Sequence, residues 1–472
     1  MFLQPLYLLG VLLTVGINYI LPATKRYIFL LLVSCLVIGS YNRESLVTLI
    51  ALSGINYWLV RQLFRSKNSL YYCVGLSLNC LAILLFNYFT SSGHRLQFEL
   101  NEVYFDAKGL ILALGLSFYS IQHIAYFIDV HKNRIVPEQN FIRHLFSIAF
   151  FPKIISGPVC TMQELLPQTN GSKITNEQLC KGFHQLVLGL VKKMVLADRL
   201  APCVSSVFDH NDAYPGITGL LGAAFFTVQL YFDFSGYSDM AIGTARMLGY
   251  DLKNNFNLPF RSASVAEFWR RWHISLISFF TRYIYYPLTF RFRQHKQTAA
   301  WFGIIITFLI SGLWHGIGFS FICWALCHVV YLCFELSTKK IRFTLSTKIS
   351  PGILHYTGLL LTFWAVCFSN IFFRSLSFPS AVHHLHKLLT DFMPNNWEAE
   401  VIAPLAVGGQ QAEYFNLSTT LTLVLTYLIF EKRIEAFSLS AKINWAYLFV
   451  AVLLIVLFGV FNAGERFIYM QF

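Results

Sequence analysis

Charged residues are scarce in this chain, and their scarcity excludes most soluble proteins. Asp, Glu, Lys and Arg make up 12% of the 472 residues, about half the share found in a soluble domain. Hydrophobic residues make up 56%, and the mean hydropathy is +0.55. Because helices satisfy their own backbone hydrogen bonds in lipid, this balance predicts an all-α, polytopic membrane protein.

Metal-binding and disulfide patterns are lacking as well. The ten cysteines lie mostly in apolar runs and form no C-x-x-C pair. Zinc-ligand spacing is therefore absent, and we expect no metal site and no disulfide framework. The first apolar segment, from Leu6 to Ile20, has no basic stretch before it and no small-residue cleavage site. We therefore expect a retained first span and not a cleaved signal.

Repeats, low-complexity tracts and linkers between domains are missing too, so we expect a single membrane domain over residues 1–472. Several of the apolar stretches are shorter than the roughly 20 residues that cross a bilayer, and we expect ten to twelve true spans. The candidate stretches are 5–22, 27–39, 45–62, 70–90, 108–130, 142–158, 183–198, 216–234, 274–290, 300–313, 317–335, 355–373, 417–431 and 444–462.

The net charge of +13 points to anionic partners. Basic loops on the cytoplasmic side are the ordinary explanation, which makes membrane lipids an expected partner; an anionic substrate is the alternative. We expect no nucleic acid, because there is no soluble basic domain to hold it. Lys192, Lys193, Asp198 and Arg199 follow an apolar run and are expected to mark a membrane edge.

The most informative apolar stretch runs from Trp301 to Phe334. Its roughly 34 residues exceed one crossing, and three glycines interrupt it around His315. We therefore predict that His315 lies inside the membrane, at a break between two segments. An ionisable residue there is costly and suggests a functional site, although a neutral histidine bonded to a neighbouring helix is the alternative.

Two further stretches carry polar groups at membrane depth. Asp233, Tyr237 and Asp239 end an apolar run. Their carboxylates need partners, which we expect to be Arg270 and Arg271; a purely structural ion pair is the alternative.

The second stretch begins with a capping box, because Ser264 is followed three residues later by Glu267. It predicts one helix through Leu276, with Trp269, Trp272 and His273 on a common stripe. Arg270 and Arg271 would face headgroups or a phosphate, although simple interfacial anchoring is the alternative. Further along the chain, His383, His384 and His386 are expected to lie in a solvated loop.

Taken together, these stretches resemble the membrane-bound O-acyltransferase family, and in particular its bacterial branch that acetylates alginate and is related to the protein that D-alanylates teichoic acid. The resemblance covers about residues 110–472. Two departures concern Lys153, where a glutamine is usual, and Thr289-Phe290, where a Gly-Gly turn is usual. The matching stretches are 117–129, 150–158, 231–243, 255–260, 268–276, 283–288, 312–316, 372–374 and the aromatic C-terminus.

The resemblance implies a ring of about eleven transmembrane helices around a central tunnel, in the inner membrane of a bacterium. It implies that His315 is the catalytic histidine and that His273 is the family's second histidine or asparagine. No permanently bound cofactor is implied; the acyl donor would be a cytoplasmic thioester, acetyl-CoA or an acyl carrier. The acceptor would be a cell-envelope glycan or a periplasmic acetyltransferase protein.

The resulting hypothesis is transfer of an acyl group, most simply acetyl, to a hydroxyl, with His315 as general base. The alternatives are transfer of D-alanine or another acyl group to a teichoic-acid-like or carrier acceptor, a proton-coupled transporter, and a membrane scaffold. Beside His315 and His273, the predicted substrate-binding residues are Trp269, Arg270, Arg271, Trp272, Asp233, Tyr237, Asp239 and Trp314.

Overall fold

The computed structural model is helical almost throughout, which confirms the predicted all-α membrane class. It describes residues 5–92, 97–100, 103–106, 113–154, 157–171, 174–375, 377–406 and 410–461. Within these ranges the exception is one antiparallel hairpin, in which Gln97–Leu100 pairs with Val103–Asp106.

The α-helices vary from four to 32 residues in length. Some join through wider π-helical turns at Val191–Ala197, Thr281–Tyr285 and Glu398–Ile402. The α-helices are Pro5–Ile20, Ala23–Tyr41, Arg43–Ser66, Ser69–Ser92, Leu116–His131, Phe141–Ala149, Met162–Leu165, Asn176–Leu190, Asp198–Asp209, Gly216–Met247, Val265–Arg271, Ile274–Phe280, Tyr286–Arg291, Lys296–His315, Phe319–Ser337, Lys339–Ser346, Pro351–Arg374, Phe378–Thr390, Ala403–Ala406, Gln410–Ser438 and Trp445–Phe458.

Seven helices in the described part of the chain are long and apolar enough to cross a membrane. The shorter apolar helices Tyr7–Ile20 and Trp445–Phe458 fall below the usual length of a crossing. The ring of about eleven spans therefore stays a prediction. The seven candidate spans are Ala23–Tyr41, Arg43–Ser66, Ser69–Thr90, Gly216–Met247, Arg293–His315, Phe319–Ser337 and Pro351–Arg374.

The structure corrects one of the predicted elements. The stretch with three histidines is a helix, Phe378–Thr390, and His384 is buried there against Phe208, with 4.8 Å between ring centroids. The expected loop is therefore wrong. At the second departure from the family pattern, Thr289 lies inside the short helix Tyr286–Arg291, and its hydroxyl bonds to the Tyr285 carbonyl.

The helix Gly216–Met247 is the central element, because most of its 32 residues are buried. It crosses the helix Asn176–Leu190 at two pairs of glycines. A Cβ atom on Gly243 would lie 2.5 Å from the carbonyl oxygen of Gly182, and one on Gly189 would lie 2.5 Å from that of Gly236. Small residues let two membrane helices approach this closely, so the glycines set the distance between the two backbones.

Gly243→Ala should therefore push these helices apart and lower the free energy of unfolding by about 1–3 kcal/mol, the usual cost of overpacking. Thermal unfolding of the purified protein in detergent measures this change. Gly54→Ala is the matched control, since a Cβ atom there meets nothing within 4 Å. Equal stability of the two variants would contradict the close crossing.

Candidate active site

His315 is the last residue of the helix Lys296–His315, and Phe319 begins the next. The predicted break is thus present at this residue. Gly312 permits the return of the chain, because a Cβ atom there would lie 2.8 Å from the carbonyl oxygen of Phe321. The amide of Asn87 donates to the carbonyls of Leu313 (2.8 Å) and Trp314 (3.1 Å). This contact satisfies backbone acceptors that the end of a helix leaves open.

His273 also lies at a break, which the sequence did not predict. The helix Val265–Arg271 ends before it, the helix Ile274–Phe280 begins after it, and His273 itself has left-handed backbone angles (φ 44°, ψ 49°). That conformation is uncommon for a residue with a side chain and often marks a functional site. The expected continuous helix is therefore wrong.

The first short helix begins after Ser264 as predicted, but only the Ser264 half of the capping box is present, because the Glu267 carboxylate bonds to the residue before the N-cap. The Ser264 hydroxyl accepts from the backbone N–H of Glu267 (3.2 Å), and the Glu267 carboxylate accepts from the N–H of Ala263 (3.0 Å). The Glu335 carboxylate also accepts from the N–H groups of Val265 (2.6 Å) and Ala266 (3.1 Å). A negative charge at this end of a helix is favourable, and it ties the segment to the helix Phe319–Ser337.

Asn255 holds the break at His273 through its side-chain oxygen. This oxygen accepts from the Ser275 backbone N–H (3.2 Å) and hydroxyl (2.8 Å), and it lies 3.1 Å from Nδ1 of His273. Because a backbone N–H can only donate, the atom facing Ser275 is the amide oxygen. Nδ1 of His273 must therefore carry the proton that it shares with Asn255, and in the neutral ring the lone pair lies on Nε2.

The side chains of His273 and His315 line one cavity. His273 is 2% exposed and His315 is 7% exposed. Aromatic rings surround His315: Trp314, Trp324 and Phe373 have their ring centroids 4.8, 5.2 and 5.2 Å away. Two breaks that are distant in sequence thus bring two imidazoles to one enclosed, largely aromatic space.

This cavity is small in the present conformation. It encloses about 20 Å³, which is room for roughly one water molecule. A thioester and an alcohol therefore need side chains to move before both can enter. Sites that open and close around substrates are common among enzymes, and Trp272 is one of the side chains that form the wall of this cavity.

Four of the ten predicted site residues line the cavity: Trp269, Trp272, His273 and His315. Trp314 contacts the ring of His315 and packs against Phe118. Tyr237 lies in a separate apolar cluster around the first helices. The substrate-binding roles predicted for Trp269, Trp272, Trp314 and Tyr237 stay predictions.

The expected ion pairs between the two aspartates and the two arginines are wrong. Asp233 pairs with Lys193 at 2.6 Å, and Asp239 pairs with Lys192 at 2.7 Å. Arg271 instead pairs with Glu267 at 2.8 Å, and Arg270 is exposed. Neither arginine lines the cavity.

Both lysines are buried within the protein, where Lys192 is 1% exposed and Lys193 is 2% exposed. Their expected place at a membrane edge stays a prediction. Lys193 lies 2.6 Å from Asp198 as well as from Asp233, and Lys192 lies 3.1 Å from Glu435. Each buried ammonium thus has two carboxylate partners. Pairing of this kind is what buried charges require, and it fixes the helix Gly216–Met247 beside the cavity.

Sequence analysis missed other polar residues of the site. His328, Asn370 and Ser311 also line the cavity, and Asn255 orients His273. A signal for His328 was present: it is ionisable and lies in an apolar run, as His315 does. In the described part of the chain, His, Cys, Asp and Glu form no group of three or more that could hold a metal ion.

Residues 140–377, about half of the chain, match the family model MBOAT, the membrane-bound O-acyltransferase family. A probable alginate O-acetylase of Azotobacter vinelandii is 33% identical over 69% of this chain and 66% of its own length. A peptidoglycan O-acetyltransferase of Helicobacter pylori is 30% identical over 75% and 72%, respectively. A teichoic acid D-alanyltransferase of Bacillus subtilis is 27% identical over 59% and 71%.

Lys193→Met should lower the free energy of unfolding by about 3–5 kcal/mol, because it leaves two buried carboxylates without their cation. Unfolding in detergent, followed by circular dichroism, measures the loss. Lys181→Met is the control: it also removes a lysine from a 2.6 Å ion pair, but one on the surface, where such pairs contribute little. Equal stability of Lys193→Met and Lys181→Met would be evidence against the buried ion pairs of Lys193.

Proposed function

Because the chain belongs to the membrane-bound O-acyltransferase family, we propose that it moves an acetyl group from a cytoplasmic thioester to a hydroxyl group of the cell envelope. The donor is acetyl-CoA or an acyl carrier. The acceptor is a cell-envelope polysaccharide or a periplasmic acetyltransferase partner. One observation supports this proposal most: the side chains of His273 and His315 line the same enclosed cavity.

His315 is the proposed general base. An alcohol is a weak nucleophile at neutral pH and needs a base within about 3 Å. In the proposed reaction His315 takes the hydroxyl proton while the alcohol oxygen attacks the thioester carbonyl carbon. The carbon–sulfur bond then breaks, and the thiolate receives that proton from His315. The ester and the free thiol are the products, so atoms and protons balance without any further reactant.

His273 has a different task in this proposal. In the neutral tautomer set by Asn255, Nε2 accepts a hydrogen bond and cannot donate one. It therefore suits orientation of a substrate hydroxyl or amide, whereas stabilising an oxyanion would need a second proton on the ring. The hydrogen bonds therefore favour a positioning role for His273 over stabilisation of an oxyanion.

Acetyl is proposed as the acyl group because two of the relatives bear names that specify O-acetylation, of alginate and of peptidoglycan. Bacterial relatives that act on envelope polymers also support a location in the inner membrane. Transfer of D-alanine is the second candidate function, because another relative is named a teichoic acid D-alanyltransferase.

His315→Ala should abolish acetylation of the acceptor, since losing a general base typically costs 10²–10⁴-fold in rate. Mass spectrometry of the envelope glycans compares cells that produce the wild type, the variant or no protein. His386→Ala is the matched control, because this histidine is exposed on the helix Phe378–Thr390. Protein amounts in the membrane are measured in parallel.

Full acetylation by His315→Ala at normal protein levels would contradict the assignment of the base. Loss of D-alanyl esters in place of acetyl esters would support the second candidate function. Movement of a substrate across the membrane without any covalent change in envelope acylation would instead support a transporter.

A further inference from the structure

A third imidazole, that of His328, lines the cavity beside His273 and His315. It comes from the helix Phe319–Ser337 and is 1% exposed. The reaction proposed above does not use it. A buried histidine in an apolar helix is costly unless its polar atoms are bonded, so its hydrogen bonds indicate what it does.

Both ring nitrogens of His328 have partners. The indole Nε1–H of Trp269 donates to Nδ1 of His328 at 3.3 Å. An indole nitrogen can only donate, so Nδ1 carries the lone pair. On the other side of the ring, Nε2 lies 3.0 Å from the hydroxyl oxygen of Ser369.

The hydrogen bonds of the Ser369 hydroxyl show whether Nε2 of His328 carries a proton. It donates its own hydrogen to the Val366 carbonyl at 2.8 Å, so toward His328 its oxygen acts as an acceptor. Nε2 of His328 is therefore protonated. These bonds hold His328 as the neutral Nε2–H tautomer, and neither nitrogen is available to take a proton from a substrate.

Trp269, which donates to His328, forms part of the wall of the candidate active site. Trp269 lines the cavity that contains His315. Its ring lies edge-on to His328, with 4.9 Å between centroids and 79° between planes, and it also contacts Phe308 and Trp324. Trp324 in turn lies 5.2 Å from the ring of His315. Aromatic packing alone permits several orientations of an indole, whereas a directed N–H bond selects one.

We propose that His328 is a positioning residue, which holds the indole of Trp269 in one orientation on the cavity wall through the Nδ1 hydrogen bond. This inference rests on the proposed acyl transfer only for its effect on rate. The bond itself can be tested separately.

The first experiment observes the bond without any assay of activity. Protein labelled with ¹⁵N-tryptophan is prepared in detergent micelles, and Trp269→Phe identifies the indole N–H signal of Trp269 by its loss. His328→Ala should move this signal toward that of an unbonded indole. His328→Asn places an amide oxygen near the former Nδ1 atom and should leave the signal close to its wild-type position.

The second experiment measures transfer. His328→Ala should lower kcat/KM on the order of tenfold, the effect of losing one neutral hydrogen bond, and His328→Asn should restore most of it. In the Trp269→Phe background, which has no indole N–H, replacing His328 by Ala or Asn should make little further difference. His355→Asn, on the exposed face of the helix Pro351–Arg374, is the control.

An unmoved Trp269 signal in His328→Ala would overturn the inference. So would an equal loss of transfer in His328→Ala and His328→Asn that persists in the Trp269→Phe background, because that pattern indicates direct acid–base chemistry. If His328→Ala does not fold, Ser369→Ala removes the other bond to the ring and should move the Trp269 signal in the same direction by a smaller amount. If wild type transfers no acyl group, the proposed function fails, and the indole signal still decides the bond.

Discussion

Backbone that stops being helical inside a protein must find other partners for its hydrogen bonds, and this constraint shapes the candidate site. At His273 the bonds come from Asn255: its backbone carbonyl accepts from the N–H of Ile274 (2.9 Å), and its side chain accepts from Ser275. At His315 they come from Asn87. Each break therefore carries its own polar support, and each support fixes a histidine that faces the cavity. Because of these two breaks, the imidazoles of His273 and His315 line the same cavity.

The second determinant is the pairing of buried charge around the helix Gly216–Met247. Lys192 and Lys193 each contact one aspartate of this helix. Each lysine also contacts a second carboxylate, that of Glu435 or of Asp198, respectively. Coulombic attraction is strong where water is excluded, so the helix is held at a defined rotation. Since Leu230 of this helix lines the cavity, the cluster acts on the site through the scaffold, without contact to a substrate in the reaction that we propose.

Much of the fold and part of the site could be predicted from the sequence. Hydropathy indicated the membrane class, and ordered motifs indicated the family. The interrupted run around His315 predicted the break there, because three glycines in a stretch too long for one span leave few alternatives. The break at His273 could not be predicted, because no glycine or proline marks it and its left-handed backbone depends on Asn255. The partners of Asp233 and Asp239 were predicted to be Arg270 and Arg271, whereas packing brings them Lys193 and Lys192, which lie 40 and 47 residues earlier in the chain. Pairing across helices depends on tertiary structure, which periodicity does not contain.

In the reaction that we propose, acyl transfer takes place between His273 and His315. A cryo-electron microscopy structure of the full chain with a non-transferable acetyl thioester analogue tests it most directly. We predict that the cavity opens, that side chains of its wall such as Trp272 change position, and that the analogue's carbonyl carbon lies between the two imidazoles within reach of the base. An analogue bound elsewhere, with the two histidines still enclosed around a closed cavity, would contradict it.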